Sequence, residues 1–382
     1  MARRLGRGFM AVVACVTLLG GGVLMAGEVM VEHTSAVANL TRITSRPEPE
    51  FAPSACPATG EVAFCGMVWK ERGKRDHYEV WVVDPGKSQH QYRRVTDSEA
   101  DNLSPAISPD GKKIVFASQR GEKSQIWETN ANGLGGNRLI SEGEELTFTY
   151  PDVTTDGFVY CALTNQYFCG PFEIDDVGRA CVTTILAPPL AVYFTGQFLV
   201  VNVVCGKPLY QTSMLEGKIA KYGYLWLCDY DGLNQTEFVE GYTPRWFPKS
   251  AAAKGDKILF TKRDADGIWH IWTVNRDGSN LTQITWGKSS DIQPAWSPDG
   301  SKIAFATNRS SGGLDKMLGD RCYNIWVMNA DGTGMTQLTQ SKKFCGHPTF
   351  TTPDEIYFHA NSGFLDENWD IWRLTLAGTP AK

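Results

Sequence analysis

An apolar residue followed by tryptophan, a short extended run and a turn ending in glycine recurs down this chain, and the recurrence restricts the fold to a repeat architecture. The units are Val80-Trp81 to Gly86, Ile126-Trp127 to Gly133, Leu225-Trp226 to Gly232, Ile271-Trp272 to Gly278, Ile325-Trp326 to Gly332 and Ile371-Trp372 to Gly378. Their tryptophans stand 46 residues apart from 81 to 127, 46 from 226 to 272, 54 from 272 to 326 and 46 from 326 to 372. A period of this size marks a propeller or another stacked array, because a single unit cannot bury its own apolar face.

A second element lies between the tryptophan units. Pro105-Ala106-Ile107-Ser108-Pro109-Asp110-Gly111 precedes Lys113-Ile114-Val115-Phe116-Ala117, and Pro294-Ala295-Trp296-Ser297-Pro298-Asp299-Gly300 precedes Lys302-Ile303-Ala304-Phe305-Ala306. Short β-branched and aromatic runs joined by Asp-Gly are hairpins. With the tryptophan strand and an outer strand such as Met335-Thr336-Gln337-Leu338-Thr339, each unit reads as a four-stranded antiparallel propeller blade.

The gap of 99 residues between Trp127 and Trp226 is about twice the period and is assigned two blades. Tyr150-Pro151-Asp152 and Phe158-Val159-Tyr160 start the third, with Phe172-Glu173-Ile174 as its tryptophan-type strand, while Pro189 to Phe194 and Phe198-Leu199-Val200-Val201 start the fourth. The expected fold is all-β, a seven-bladed propeller. The last unit ends at Gly378 without an outer strand, and Asn39-Leu40-Thr41-Arg42-Ile43-Thr44 resembles Leu281-Thr282-Gln283-Ile284-Thr285, so an N-terminal outer strand is expected to close the ring. Closure removes sheet edges that would template aggregation.

Arg3, Arg4 and Arg7 before an apolar run from Phe9 to Ala26 read as a secretory leader. With Ala36-Val37-Ala38 as a small-x-small cleavage site, residues 1–38 are assigned to the leader and 39–382 to one propeller domain; a cut nearer Gly27 is the alternative. Nothing after the leader is long and apolar enough to span a bilayer. Losing residues 1–27 removes three arginines and no acid, taking the net charge from −5 to −8, which argues against nucleic acid as a partner.

Cys56, Cys65, Cys161, Cys169, Cys181, Cys205, Cys228, Cys322 and Cys345 follow the leader, and disulfides are the default in an exported chain. Cys56 with Cys65 and Cys322 with Cys345 are the expected pairs, although spacing alone does not fix connectivity. No C-x-x-C or C-x-x-C-H occurs, so the chain is expected to carry no cofactor and no metal of its own. Cys345-Gly346-His347 with His359 reads better as a disulfide and two hydrogen-bonded imidazoles than as metal ligands. The Asp-Gly turns lack the extended loop that calcium needs. No nucleophile elbow, zinc helix or phosphate loop appears, and no catalytic residue is assigned.

The repeat breaks at Arg245-Trp246-Phe247-Pro248-Lys249 through Lys254 to Lys257, a basic, aromatic loop in place of the tight turn. Arg245, Trp246, Phe247, Lys249 and Lys254 are the candidate partner contacts, since insertions in repeat folds commonly map to a binding face. Asn165 to Arg179 and Ser310 to Arg321 are two further insertions.

The Ser-Pro-Asp-Gly turn with the Ile-Trp-x-Met-Asn-x-Asp-Gly strand, clearest at 294–339 and 105–140, resembles the TolB-type propeller repeat across the post-leader chain. The α/β domain that precedes the TolB propeller is missing here. A leader followed by one cysteine-containing propeller of this length also resembles the beta-subunit family of the hydrazine synthases of anaerobic ammonium-oxidising bacteria. That resemblance implies a non-catalytic subunit beside multihaem protein partners carrying c-type haem, in the periplasm or an equivalent compartment such as the anammoxosome. A TolB-like periplasmic scaffold is the alternative, and a lyase or hydrolase using the channel through His347 and His359 is a further one.

Overall fold

The computed structural model describes residues 31–69, 76–87, 92–141, 147–154, 157–163, 223–229, 231–248, 256–309, 323–341, 344–361 and 369–378. Strand β1 (Val37–Arg42) comes first. Blade 1 follows with β2 (Glu50–Ala55), β3 (Val62–Val68), β4 (His77–Val83) and β5 (Tyr92–Arg94), then blade 2 with β6 (Asn102–Ile107), β7 (Lys113–Ser118), β8 (Gln125–Asn130) and β9 (Arg138–Leu139). Blade 3 holds β10 (Thr147–Val153), β11 (Gly157–Leu163), β12 (Tyr224–Asp229) and β13 (Thr236–Glu240); blade 4 holds β14 (Tyr242–Trp246), β15 (Lys257–Arg263), β16 (Trp269–Asn275) and β17 (Thr282–Gln283). Blade 5 holds β18 (Asp291–Trp296), β19 (Lys302–Thr307), β20 (Asn324–Asn329) and β21 (Thr336–Gln337), and blade 6 is built from β22 (Cys345–Thr352), β23 (Glu355–Asn361) and β24 (Trp369–Leu376) with β1 on its edge.

The ring therefore has six blades, not the seven expected from the spacing. Strand β11 pairs directly with β12, Tyr160 opposite Trp226, so the 99 residues between Trp127 and Trp226 contain one blade whose second and third strands are separated in sequence by residues 164–223. The innermost strands close a circle by themselves: β10 packs on both β6 and β14, and β22 packs on both β18 and β2. No position is left between blades 3 and 4 for another. The strands assigned to Phe172-Glu173-Ile174 and to 189–201 lie outside the described residues.

Each blade repeats the same cross-strand pair, a buried second-strand aromatic opposite a tryptophan that is half-buried in blades 1–5 and buried in blade 6. Phe64 faces Trp81, Phe116 faces Trp127, Tyr160 faces Trp226, Phe260 faces Trp272, Phe305 faces Trp326 and Phe358 faces Trp372. All six second-strand aromatics are fully buried. The repeat tryptophan is thus half of an aromatic pair that fills the space between blades, where cross-strand aromatic contacts add about 0.2–1 kcal/mol beyond area burial.

A bulge re-aims every innermost strand. Ala52, Ser104, Tyr150, Thr243, Gln293 and His347 have φ between 45° and 54°, and the register shifts at each. Each is followed by proline, whose ring disfavours the right-handed helical region for the residue before it. A left-handed non-glycine residue costs of order 1–3 kcal/mol, and the ring repeats that strain six times around its centre.

Strand β1 completes blade 6. It runs antiparallel to β24, Leu40 opposite Leu374 and Arg42 opposite Trp372. Thr44 then accepts the Ile371 N–H at 2.8 Å, the same bond that Thr96, Ser141, Thr285 and Thr339 make to Val80, Ile126, Ile271 and Ile325. The preceding residues are also engaged: Thr34 N–H donates to Leu338 O at 3.0 Å, Gln340 N–H to Glu32 O at 2.8 Å and Ala377 N–H to Ala36 O at 2.7 Å. Val31 and Val37 are buried beside Leu338 and Leu376. Residues from Val31 onward thus pack on the propeller.

Candidate functional site

Antiparallel succession puts the two kinds of connection on opposite faces. Connections from inner to second strand and from third to outer strand, including the Ser-Pro-Asp-Gly turns at Asp110 and Asp299, leave from one face. Those from second to third strand leave from the other, where the longest connections in sequence, 164–223 between β11 and β12 and 308–323 between β19 and β20, belong. We call the first the turn face and the second the insertion face. Turn geometry explains the first: the Ser108 hydroxyl donates to Asp110 Oδ1 at 2.7 Å, Gly111 takes φ 72°, and the Ser108 bond with the Lys112 N–H holds the Asp110 carboxyl below its usual range.

On the insertion side the inner strands bring together a cluster of polar and aromatic groups. His347 is the left-handed residue of β22, and His359 stands on β23 next to it, ring centroids 5.1 Å apart. Phe344 stacks on His359 at 5.7 Å, and Trp369 meets it edge-on at 5.0 Å. Tyr150 comes from blade 3, opposite in the ring, and stacks on His347 at 6.3 Å. The cluster therefore crosses the channel.

Its hydrogen bonds join blades to each other. Ala52 N–H of blade 1 donates to His359 Nδ1 at 3.0 Å, and His347 N–H donates to Gln293 Oε1 of blade 5 at 2.7 Å. Accepting at Nδ1 makes His359 a neutral imidazole with its proton on Nε2. Burial pushes the His359 imidazole down to about 3; burial, then His359 and Arg245, holds His347 well below its usual value. Half-buried Asp152 is pushed up by desolvation, against the pull of Arg245, and accepts the Trp246 N–H at 2.6 Å. Gly346 must lack a side chain, since a Cβ there would come within 2.3 Å of Phe344 and 2.6 Å of Gln293 Oε1.

Two results follow for stability. Replacing His359 with leucine strands the Ala52 N–H and is expected to cost about 1–3 kcal/mol, whereas glutamine at 359 can restore the acceptor; urea unfolding of both variants measures the difference. The unfolded imidazoles take protons below about 6.5 while the folded ones resist, so this contribution is complete above pH 6.5 and is lost as pH falls towards 3. Unfolding midpoints from pH 7 to pH 4 should show that decline in the parent chain and a shallower one in His359→Gln.

The sequence-derived contact residues divide. Arg245 and Trp246 end β14, Phe247 follows it, and Lys249 and Lys254 lie outside the described residues. Trp246 is buried with Tyr150, Ile258 and Val274, and Phe247 packs edge-on against Trp296 at 4.9 Å. The Cys56–Cys65 bond expected from sequence is not formed: both thiols are free and buried, Cys56 Sγ 3.6 Å from Ser108 O and Cys65 opposite Phe51. Cys322 lies outside the described residues; its neighbour Tyr323 accepts the Cys345 N–H at 2.9 Å. Insertions 165–179 and 310–321 also lie outside them. Among the described residues no group of three or more His, Cys, Asp and Glu is arranged to hold a metal, and no helix is long and apolar enough to cross a membrane.

Sequence reasoning missed Tyr150, Asp152 and Gln293 as parts of this cluster. Two exposed tryptophans were missed as well. Trp69, at the end of β3, is 58% exposed and Trp286, after β17, is 65% exposed; both stand on the insertion face. The signal available was their position outside the apolar-Trp repeat.

Fold and repeat together define an all-β propeller of six four-stranded blades. No family model matches the sequence. Over 139 residues the chain is 35% identical to the Tol-Pal system protein TolB of Anaeromyxobacter dehalogenans, covering 28% of this chain and 32% of that protein, so the repeats are TolB-like. It is 29% identical over 179 residues to hydrazine synthase subunit alpha of Kuenenia stuttgartiensis, 46% of this chain and 20% of that one. The chain thus spans a third or less of either relative. An oligogalacturonate lyase from Vibrio parahaemolyticus shares the fold, with a TM-score of 0.50 over 91% of this chain and 96% of the lyase at 14% identity.

Proposed function

We propose that this chain is a non-catalytic, TolB-like scaffold that binds another protein on its insertion face. One observation carries the reading: among the described residues Trp69 and Trp286 are the large exposed aromatics of that face, in a fold that builds all six repeat tryptophans into its blades. Exposed large apolar groups at a rim mark interaction sites. The channel histidines support the same reading, because His359 is engaged in holding blade 1 to blade 6.

A finer reading makes it the propeller subunit of an exported multihaem redox complex, comparable to the beta subunit of hydrazine synthase, with c-type haem in its partners. The observation that favours it is the match to a hydrazine synthase subunit, although that match is to subunit alpha. The compartment would be the periplasm or an equivalent such as the anammoxosome.

Native purification with a visible spectrum and mass spectrometry tests both. A haem protein at fixed ratio supports the finer reading, and a colourless envelope partner supports the scaffold alone. The double variant Trp69→Ala/Trp286→Ala should release the partner while unfolding within about 0.5 kcal/mol of the parent, as exposed substitutions do. Retention of the partner by that variant removes the insertion face as the docking surface.

A further inference from the structure

At three blade junctions the residue two before the repeat tryptophan meets the first residue of the next inner strand. Between blades 1 and 2 this places Glu79 Oε2 2.7 Å from Asn102 Nδ2, an acceptor on a donor. Between blades 4 and 5 it places His270 Nδ1 4.0 Å from Asp291 Oδ2, a base by an acid. At the closing junction, between blades 6 and 1, the same two positions hold Asp370 and Glu50. Both are fully buried, and they are two acids.

The charges around them are unequal. Arg42, the last residue of β1, reaches Asp370 Oδ2 at 2.8 Å. Arg46 stands farther from Glu50, Nη1 to Oε1 3.6 Å, and is shared with Glu48 at 3.4 Å and with the face of Trp81 at 4.2 Å. Tyr92 is the remaining titratable neighbour; its hydroxyl donates to Ile43 O at 3.4 Å and is pushed up by burial and then by Glu50. Two neighbouring buried carboxyls do not both ionise at ordinary cost. Glu50, whose arginine is the more distant and is shared, is the one that keeps the proton.

We propose that ring closure is a proton-dependent latch, in which Glu50 must be protonated for blade 1 to seat against blade 6 and its ionisation beside Asp370 loosens the β1 edge. Burial pushes the Glu50 carboxyl up to about 8, with Thr44 and Arg46 opposing and Asp370 and Glu48 adding to the rise. The unfolded carboxyl ionises near 4.5, so folding takes up a proton between the two values. Stability from this group is therefore complete below pH 4.5, falls as pH rises, and is gone above about 8.

Glu50→Gln keeps the shape of the protonated side chain and cannot ionise. From pH 5 to pH 8 the folding equilibrium constant of the parent chain should fall relative to Glu50→Gln by up to about tenfold per pH unit. Amide exchange at Ile43 and Thr44, which donate to Ile371 O, should accelerate in the parent at pH 9 relative to blade 3 amides, and not in the variant. Parallel stability curves for the two chains would overturn the latch. Infrared spectroscopy of the parent alone gives an independent arm: a protonated-carboxyl band at pH 7 that disappears above about pH 8 supports it, and no such band at pH 7 sinks it.

Discussion

Deletion of residues 31–44 is expected to abolish cooperative folding. The segment buries Val31, Val37 and Ile43, and full burial of an aliphatic side chain contributes about 1.5–3 kcal/mol. Three such losses, about 4.5–9 kcal/mol together, are comparable with the lower half of the roughly 5–15 kcal/mol that holds a domain together. The deletion also uncovers the β24 edge along Trp372 and Leu374, a template for pairing with other chains. Urea unfolding and size-exclusion chromatography of the truncated chain check this: a sigmoidal transition at the parent midpoint from a monomer would show that β1 is dispensable. Thr44→Val is a milder probe, removing the acceptor for the Ile371 N–H together with the hydroxyl's bond to Glu50, and should cost about 1–3 kcal/mol.

The second large effect is at the aromatic pairs. Phe305→Ala is expected to destabilise by about 3–5 kcal/mol, because Phe305 is fully buried opposite Trp326 among Leu259, Ile271, Trp296 and Met328 and the blades cannot collapse into the space it leaves. Phe116→Ala should lie in the same range, since the pair recurs with the same register in blade 2. Denaturant midpoints at unchanged slope give the values. A loss below about 1 kcal/mol at both positions would mean that blade packing does not rest on these rings.

Architecture was legible in this sequence because its signals are local. An Asp-Gly turn, a hydrophobic run and a tryptophan within some 30 residues specify one hairpin and its third strand, and the recurrence specifies the ring. The count went astray at a single place, where distance between tryptophans was taken as a measure of blades and residues 164–223 were counted as structure of that period. A better counter was present: the dipeptides Ala52-Pro53, Ser104-Pro105, Tyr150-Pro151, Thr243-Pro244, Gln293-Pro294 and His347-Pro348 occur once per inner strand and number six. The channel cluster was not legible. Ala52 and His359 are 307 positions apart, and Trp246 looked like a loop tip until β14 placed it in the core beside Tyr150. The closing pair Glu50 and Asp370 is equally remote in sequence.

Joining the first strand to the last also fixes when the molecule can become itself. Five blades can assemble from consecutive stretches of chain, but the sixth needs Val37–Arg42 from the beginning and Trp369–Leu376 from the end. Contacts of such long sequence separation slow folding, since the loop-closure entropy comes before the contacts that offset it. During synthesis the nascent chain therefore carries an open ring, with the β24 partner edge unmade, until its last strand arrives. A chaperone that shields one strand edge would meet its client at that stage and no longer recognise it after closure.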